Sequence, residues 1–179
     1  MLAALVFSAA APAQSLERCT ACHGPDGNSI VPGVPSIAAQ PRLFLEHYLV
    51  LTREGLRGSE VMQHILKGVS DPEIVAMAAH FERMPAKPQP GPTDPGLFRR
   101  GGEVAARHHC GSCHRPDYLG QQQMPRLAGQ REDFLIESML AYQQNKRPGG
   151  DTIMAAALYG IPEADIRAMA HFLATLPAR

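Results

Sequence analysis

Two stretches of the chain could do the same chemistry. Cys19-Thr20-Ala21-Cys22-His23 and Cys110-Gly111-Ser112-Cys113-His114 each hold two thiols one helical turn apart, followed at once by an imidazole. This spacing is the attachment signature of a c-type haem. Each thiol adds across one porphyrin vinyl group to give a thioether. The turn between the cysteines sets both sulfurs along the ring edge, and the histidine that follows swings beneath the ring to reach the iron. The two units use all four cysteines of the chain. The expectation is two covalently attached c-type haems, bound through Cys19, Cys22, Cys110 and Cys113, with iron ligated by His23 and His114. Other readings explain less. A zinc ribbon pairs its Cys-x-x-Cys units about 15–20 residues apart, and a thioredoxin-like redox pair needs a βαβ context. Disulfides suit an oxidising compartment but leave the two histidines unexplained.

An iron that only transfers electrons needs a second axial ligand, because an open position invites oxygen or peroxide chemistry. Methionine is the candidate. Met62 and Met154 stand at equivalent positions in the two halves, in sequence that reads as loop: Gly55-Leu56-Arg57-Gly58-Ser59 precedes the first, Arg147-Pro148-Gly149-Gly150-Asp151 the second. Met77 and Met169 also match, but at helical spacing among apolar residues, where methionine packs well. His64 is the rival ligand in the first half, since imidazole also binds iron. His47, His80 and His171 read as ordinary helix residues. A sulfur ligand favours ferrous iron and raises the potential relative to two histidines, which suits the oxidase side of an electron chain.

The elements that position these residues come as a repeat. The first Cys-x-x-Cys-His unit returns as the second, and Pro35-Ser36-Ile37-Ala38-Ala39-Gln40 returns as Pro125-Arg126-Leu127-Ala128-Gly129-Gln130. Repeats of this kind must be recognised before a fold is assigned. Helices are expected over 15–23 and 95–113, each carrying a cysteine pair. Phe44, Leu45, Tyr48, Leu49 and Thr52 fall at helical spacing, as do Phe134, Leu135, Met139 and Tyr142. Ser70-Asp71-Pro72-Glu73 is a capping box that opens a helix bearing Ile74, Met77, Ala78 and Phe81. Pro162-Glu163 opens its counterpart, and Pro85 and Pro177 stop the two. No period-two run proposes a sheet, so the fold class is all-α. Pro-rich sequence over 85–95 reads as a stiff linker between a first domain, 14–84, and a second, 96–179.

Residues 1–13 form a short apolar run ending in Ala11-Pro12-Ala13, which reads as a secretory signal without its basic start and implies a periplasmic location. It is shorter than the roughly 20 apolar residues of a spanning helix. Basic and acidic residues balance at 17 each. Nothing here reads as a nucleic-acid binder, which needs a basic face, and a local acidic or basic docking patch stays open, because net charge does not give the distribution of charge. Each half has under 100 residues and a limited core, so a porphyrin would supply much of the apolar body around which its helices pack.

The two Cys-x-x-Cys-His units, each followed by Pro-x-(Ile/Leu)-Ala-(Ala/Gly)-Gln and a methionine, resemble the dihaem cytochromes of the cytochrome c4 family over nearly all of 15–179. The resemblance implies two tandem cytochrome c-like domains, each wrapped around one covalent haem and related by pseudo-twofold symmetry. It implies Cys19, Cys22, His23 and Met62 at the first haem, and Cys110, Cys113, His114 and Met154 at the second. Pro35 and Pro125 match the proline that sets the proximal side; Arg57 and Arg147 match a basic position near the haem edge. The second unit departs from the pattern, with Arg115 where the family has glycine and Asp117-Tyr118-Leu119-Gly120 for the Asp-Gly turn. His80 stands where an aromatic residue is usual.

The function so implied is transfer of single electrons between redox proteins, with no catalytic residue of its own. Implied partners are an upstream quinol-oxidising complex or dehydrogenase and a terminal oxidase, with loose membrane association. An alternative is the haem subunit of a sulfide- or alcohol-oxidising dehydrogenase complex. A dihaem peroxidase ranks lower, because the paired methionines would close both irons.

Overall fold

A computed structural model describes residues 13–89, 91–147, 149 and 152–178. The expected signal segment lies outside these residues except for Ala13, as does part of the loop before Met154. Nine helices form among the described residues, and no strand; the nearest thing to one is an isolated bridge between Gln121 and Met124. The first four are α1 (Ala13–His23), α2 (Arg42–Arg53), α3 (Glu60–Leu66) and α4 (Asp71–Glu82). The others are α5 (Pro95–Arg107), α6 (Gly111–His114), α7 (Glu132–Gln143), α8 (Thr152–Leu158) and α9 (Glu163–Thr175).

Local chemistry explains the boundaries. Glu73 accepts hydrogen bonds from the Ser70 N–H at 2.8 Å and its Oγ at 2.6 Å, closing the start of α4 with Pro72 in the first turn. At α5 the Asp94 carboxylate accepts from the Gly96 and Leu97 N–H groups, two donors that have no partner within a helix. These donors hold the Asp94 carboxyl below its ordinary pKa. Pro95 at the first position of α5 sacrifices no internal bond.

The expected helix over 95–113 is broken. α5 stops at Arg107, His109 takes a positive φ of 54°, and the cysteine pair enters with a separate one-turn helix, Cys110 at the N-cap of α6 and Cys113 within it. The first cysteine pair, by contrast, rides directly on α1. Met62 and Met154 also depart from expectation: both sit on short helices, α3 and α8, rather than in open loop. Ser59 caps α3 by accepting from the Met62 N–H at 3.3 Å, so the cap that starts the helix also fixes the methionine's backbone.

Each half has its own core. Leu45, Ala78 and Phe81, with Leu66, Ile74 and Met77, are buried in the first. Val104, Leu135, Leu158, Ile166, Met169 and Leu173 are among those buried in the second. Met77 and Met169 are core residues, as their spacing predicts. The most extensive helix–helix packing among the described residues is α5 on α9, and Gly101 makes it possible. A Cβ there would run into the backbone of Ala168 and lie 2.6 Å from Phe172 Cβ.

The halves meet in a seam whose hydrogen bonds are reciprocal. The Ser36 N–H donates to Gln130 Oε1 at 2.7 Å, and Gln130 Nε2 donates to the Ser36 carbonyl at 2.9 Å. The repeat maps Ser36 onto Arg126 and Gln130 onto Gln40. The mapped pair makes the mapped bonds: the Arg126 N–H donates to Gln40 Oε1 at 2.9 Å, and Gln40 Nε2 to the Arg126 carbonyl at 3.0 Å. Such exchange of equivalent partners is the mark of a twofold interface. All four residues are nearly inaccessible to solvent. The proline-rich segment lies along both halves: Lys87 N–H donates to Asn28 Oδ1 and Gln89 Nε2 to the Gly129 carbonyl.

Candidate haem-binding sites

In the first half α1 presents Cys19 and Cys22 and ends on His23. His23 is 6% exposed, and its Nδ1 lies 2.8 Å from the Pro35 carbonyl. In the second half His114 is 5% exposed, with Nδ1 2.9 Å from the Pro125 carbonyl. A carbonyl can only accept, so each Nδ1 carries the proton and each Nε2 keeps its lone pair. Burial pushes both imidazoles below their ordinary pKa, against the opposing pull of the proline carbonyl. Both are therefore neutral at pH 7, the form that binds a metal. His114 Nε2 is buried with no hydrogen-bond partner among the described residues. An unmet buried acceptor costs about 1–3 kcal/mol, and a bound iron ion would supply the partner. A backbone carbonyl on the far ring nitrogen is the usual way of orienting a ligand histidine.

The proline loops are tied back to the cysteine turns. Ile37 and Ala38 N–H groups both donate to the Gly27 carbonyl, and Leu127 and Ala128 repeat this on Tyr118. Ser29 Oγ donates to the Cys22 carbonyl at 3.0 Å, while the Ser29 N–H donates to Ser36 Oγ. Backbone shape is conserved between the halves even where residue type is not. Gly24 has φ 83° and Gly27 φ 75°; their counterparts Arg115 and Tyr118 have φ 70° and 57°. Arg115, with ψ 157°, sits where glycine is nearly alone, so the departure in the second unit is absorbed as strain rather than as a different turn.

Cys19, Cys22 and Cys110 are half-buried and Cys113 is exposed, with the Cys19 thiol 3.9 Å from Met77 Sδ. Burial raises the Cys19 and Cys110 thiols above their ordinary pKa, so both are thiols at neutral pH. No group of three or more His, Cys, Asp or Glu poised to hold a metal ion occurs among the described residues, as a zinc ribbon would require. Met62 and Met154 are half-buried and pack on the core of their own half. His64, the rival ligand, is exposed. The residues present thus fit a haem in each half: two thiols, a buried neutral imidazole with a free lone pair, and an apolar wall bearing a thioether.

With this geometry in place, similarity to known proteins is informative. The profile of the Cytochrome c family matches residues 98–177. Cytochrome c4 of Pseudomonas aeruginosa is 30% identical over 96% of this chain and 90% of its own. The chain belongs to the cytochrome c4 family. The crystal structure of reduced recombinant cytochrome c4 from Pseudomonas stutzeri agrees, with TM-score 0.81 and 28% identity over 94% of this chain and 100% of that one. A protein named thiosulfate dehydrogenase electron acceptor, from Thiomonas intermedia, is 27% identical over 94% of this chain and 82% of its own. As a cytochrome c4, the chain has two tandem cytochrome c-like domains, carries two covalent c-type haems and is an electron-transfer cytochrome.

Three residues of this cytochrome c4 do more than their sequence signals. His171 is buried, not an ordinary helix residue: its Nδ1 lies 3.0 Å from Glu132 Oε2, and its Nε2 accepts from the Asp94 N–H at 2.9 Å. It ties the starts of α5 and α7 to α9. Arg57 stacks over Tyr48 at 5.0 Å and crosses the seam to donate to Tyr142 Oη at 2.5 Å. Arg147 covers the other side of this cluster, 4.8 Å from the Tyr142 ring centre. Only the recurrence of the glutamine that closes each proline motif, Gln40 and Gln130, could have hinted at the seam.

Proposed function

We propose that this chain is a periplasmic dihaem electron carrier that accepts single electrons from an upstream dehydrogenase or quinol-oxidising complex and passes them toward a terminal oxidase. Cys19 and Cys22 hold the first haem with His23 and Met62 on its iron; Cys110 and Cys113 hold the second with His114 and Met154. Residues 14–84 form the first domain, 85–95 the linker and 96–179 the second. The bound iron supplies a one-electron Fe(III)/Fe(II) couple. The observation that carries the reading is the pair of buried imidazoles, each pinned through Nδ1 to a proline carbonyl and each following a cysteine pair. The protein holds those imidazoles neutral and oriented, sets a thioether among apolar side chains on α3 and α8, and joins the two halves by reciprocal hydrogen bonds. No helix among the described residues is long and apolar enough to cross a membrane.

A second reading has the immediate donor as a sulfur-oxidising dehydrogenase. Relatives named thiosulfate dehydrogenase electron acceptor support it. Stopped-flow reduction of the oxidised protein by a thiosulfate dehydrogenase and by a quinol-oxidising complex separates the two. Reduction by neither, together with rapid peroxide turnover, would overturn the carrier reading.

A further inference from the structure

Arg126 breaks the symmetry of the seam. Its counterpart in the first half is Ser36, so one half inserts a guanidinium where the other has a hydroxyl. Arg126 is 1% exposed, the largest fully buried side chain among the described residues. Its Nη1 donates to the Ala128 carbonyl and its Nη2 to the Ala38 carbonyl of the other half at 2.9 Å, while its Nε is buried with no partner. Among the described residues no carboxylate lies within ion-pair distance of it, although eight pairs of Arg or Lys with a carboxylate form elsewhere. Two neutral carbonyls do not offset removal of a guanidinium from water, a cost of several kcal/mol. Burial lowers its pKa only to about 10, so the charge persists at neutral pH. The fold has therefore enclosed a cation whose anion is not supplied by the described residues.

Arg126 directly follows Pro125, the residue whose carbonyl orients His114. A haem brings two propionate carboxylates of its own. We propose that the buried guanidinium of Arg126 is the counter-cation of a propionate carboxylate on the haem held by the second half, which makes that site electrostatically unlike the first. This rests on the reading above that each half carries a haem. The Nε–H, at the one guanidinium nitrogen left without a partner among the described residues, is the donor such a carboxylate would take, and it supplies the charge-assisted bond that a carboxylate accepts best. Compensating the carboxylate removes negative charge near the iron and favours the ferrous form of the second haem. Inorganic anions from solution share the chemistry and are the competing source.

The test uses the full holoprotein. In the reduced, diamagnetic unmodified protein, nuclear Overhauser contacts are expected between the Arg126 Nε–H and propionate methylene protons of the second haem. Arg126→Leu and Arg126→Gln should retain two haems by intact mass and lower the potential of the second haem alone. Arg126→Lys should restore part of the difference. Potentials that respond to chloride or phosphate in the unmodified protein but not in Arg126→Leu would assign the site to a solution anion and overturn the proposal. So would contacts to, or a shift of, the first haem only, or two unchanged potentials with no Overhauser contact. In each of these cases two haems by mass leave the carrier reading intact, whereas a chain without haem removes both.

Discussion

At the residue scale, the iron sites are built from asymmetric use of ordinary side chains. Each histidine is committed at one nitrogen and free at the other, and the commitment is to a backbone carbonyl that cannot titrate. The thioethers are a separate matter, because α3 and α8 present them from helices. Met62→Ala or Met154→Ala should lower the potential of one haem and let carbon monoxide bind at that site, visible as a shifted Soret band. Unchanged low-spin spectra in both variants, with no carbon monoxide adduct, would dismiss these ligands. The strained Arg115 gives a prediction of opposite sign. Non-glycine residues in such backbone cost roughly 1–3 kcal/mol, and the side chain's compensation is an exposed pair with Asp117, worth little. Arg115→Gly should therefore stabilise the protein by about 1 kcal/mol, read as a higher melting midpoint with unaltered visible spectrum.

At the element scale, much was legible and the exceptions have physical reasons. The capping box at Ser70, the helix-stopping prolines and the apolar stripe of Ile74, Met77, Ala78 and Phe81 are local signals, and local structure follows them. The paired histidines and cysteines were readable because covalent attachment needs one fixed spacing. The break after Arg107 was not, because nothing between Arg107 and Cys110 is a strong helix breaker; His109 must adopt positive φ so that α6 can aim the cysteines. Met62 was read as loop because glycines precede it, whereas the Ser59 cap outweighs them. The α5–α9 crossing hangs on Gly101, whose importance no local pattern reveals. Gly101→Ala would force a methyl group into the Ala168 backbone, and overpacking of this kind costs about 1–3 kcal/mol. The expected result is a lowered melting midpoint with loss confined to the second half, detectable by limited proteolysis.

At the scale of the whole molecule, two small cores are joined by polar rather than apolar contacts. The reciprocal glutamines, Arg126 and the Arg57–Tyr142 bond were invisible in sequence because each joins residues more than 80 positions apart. Gln130→Ala would leave the Ser36 N–H and carbonyl buried without partners, at about 1–3 kcal/mol each, and should separate the unfolding of the two halves into distinct calorimetric steps. The seam also contains a titrating contact. Burial alone would raise the Asp133 carboxyl, but the Arg131 guanidinium and the N–H groups of Gly33 and Phe134 outweigh it and hold the pKa below 3.8. A depressed carboxyl stabilises the folded state fully above its unfolded value and loses that contribution as pH falls through its folded one. The seam should thus hold at pH 5 and weaken only as pH drops below about 3.8. Asp133→Asn should flatten this part of the curve of melting midpoint against pH, and an unchanged curve would remove Asp133 from the account.

The central claim is that iron porphyrin is gripped twice in the same way. Intact-mass measurement of chain produced with functional cytochrome maturation, joined to a spectroelectrochemical titration, tests it in one sample. Two haem masses added to the polypeptide and two one-electron steps at positive potential, both with low-spin spectra, are the expected result. A chain at its bare mass, or one haem with a single step, would contradict it.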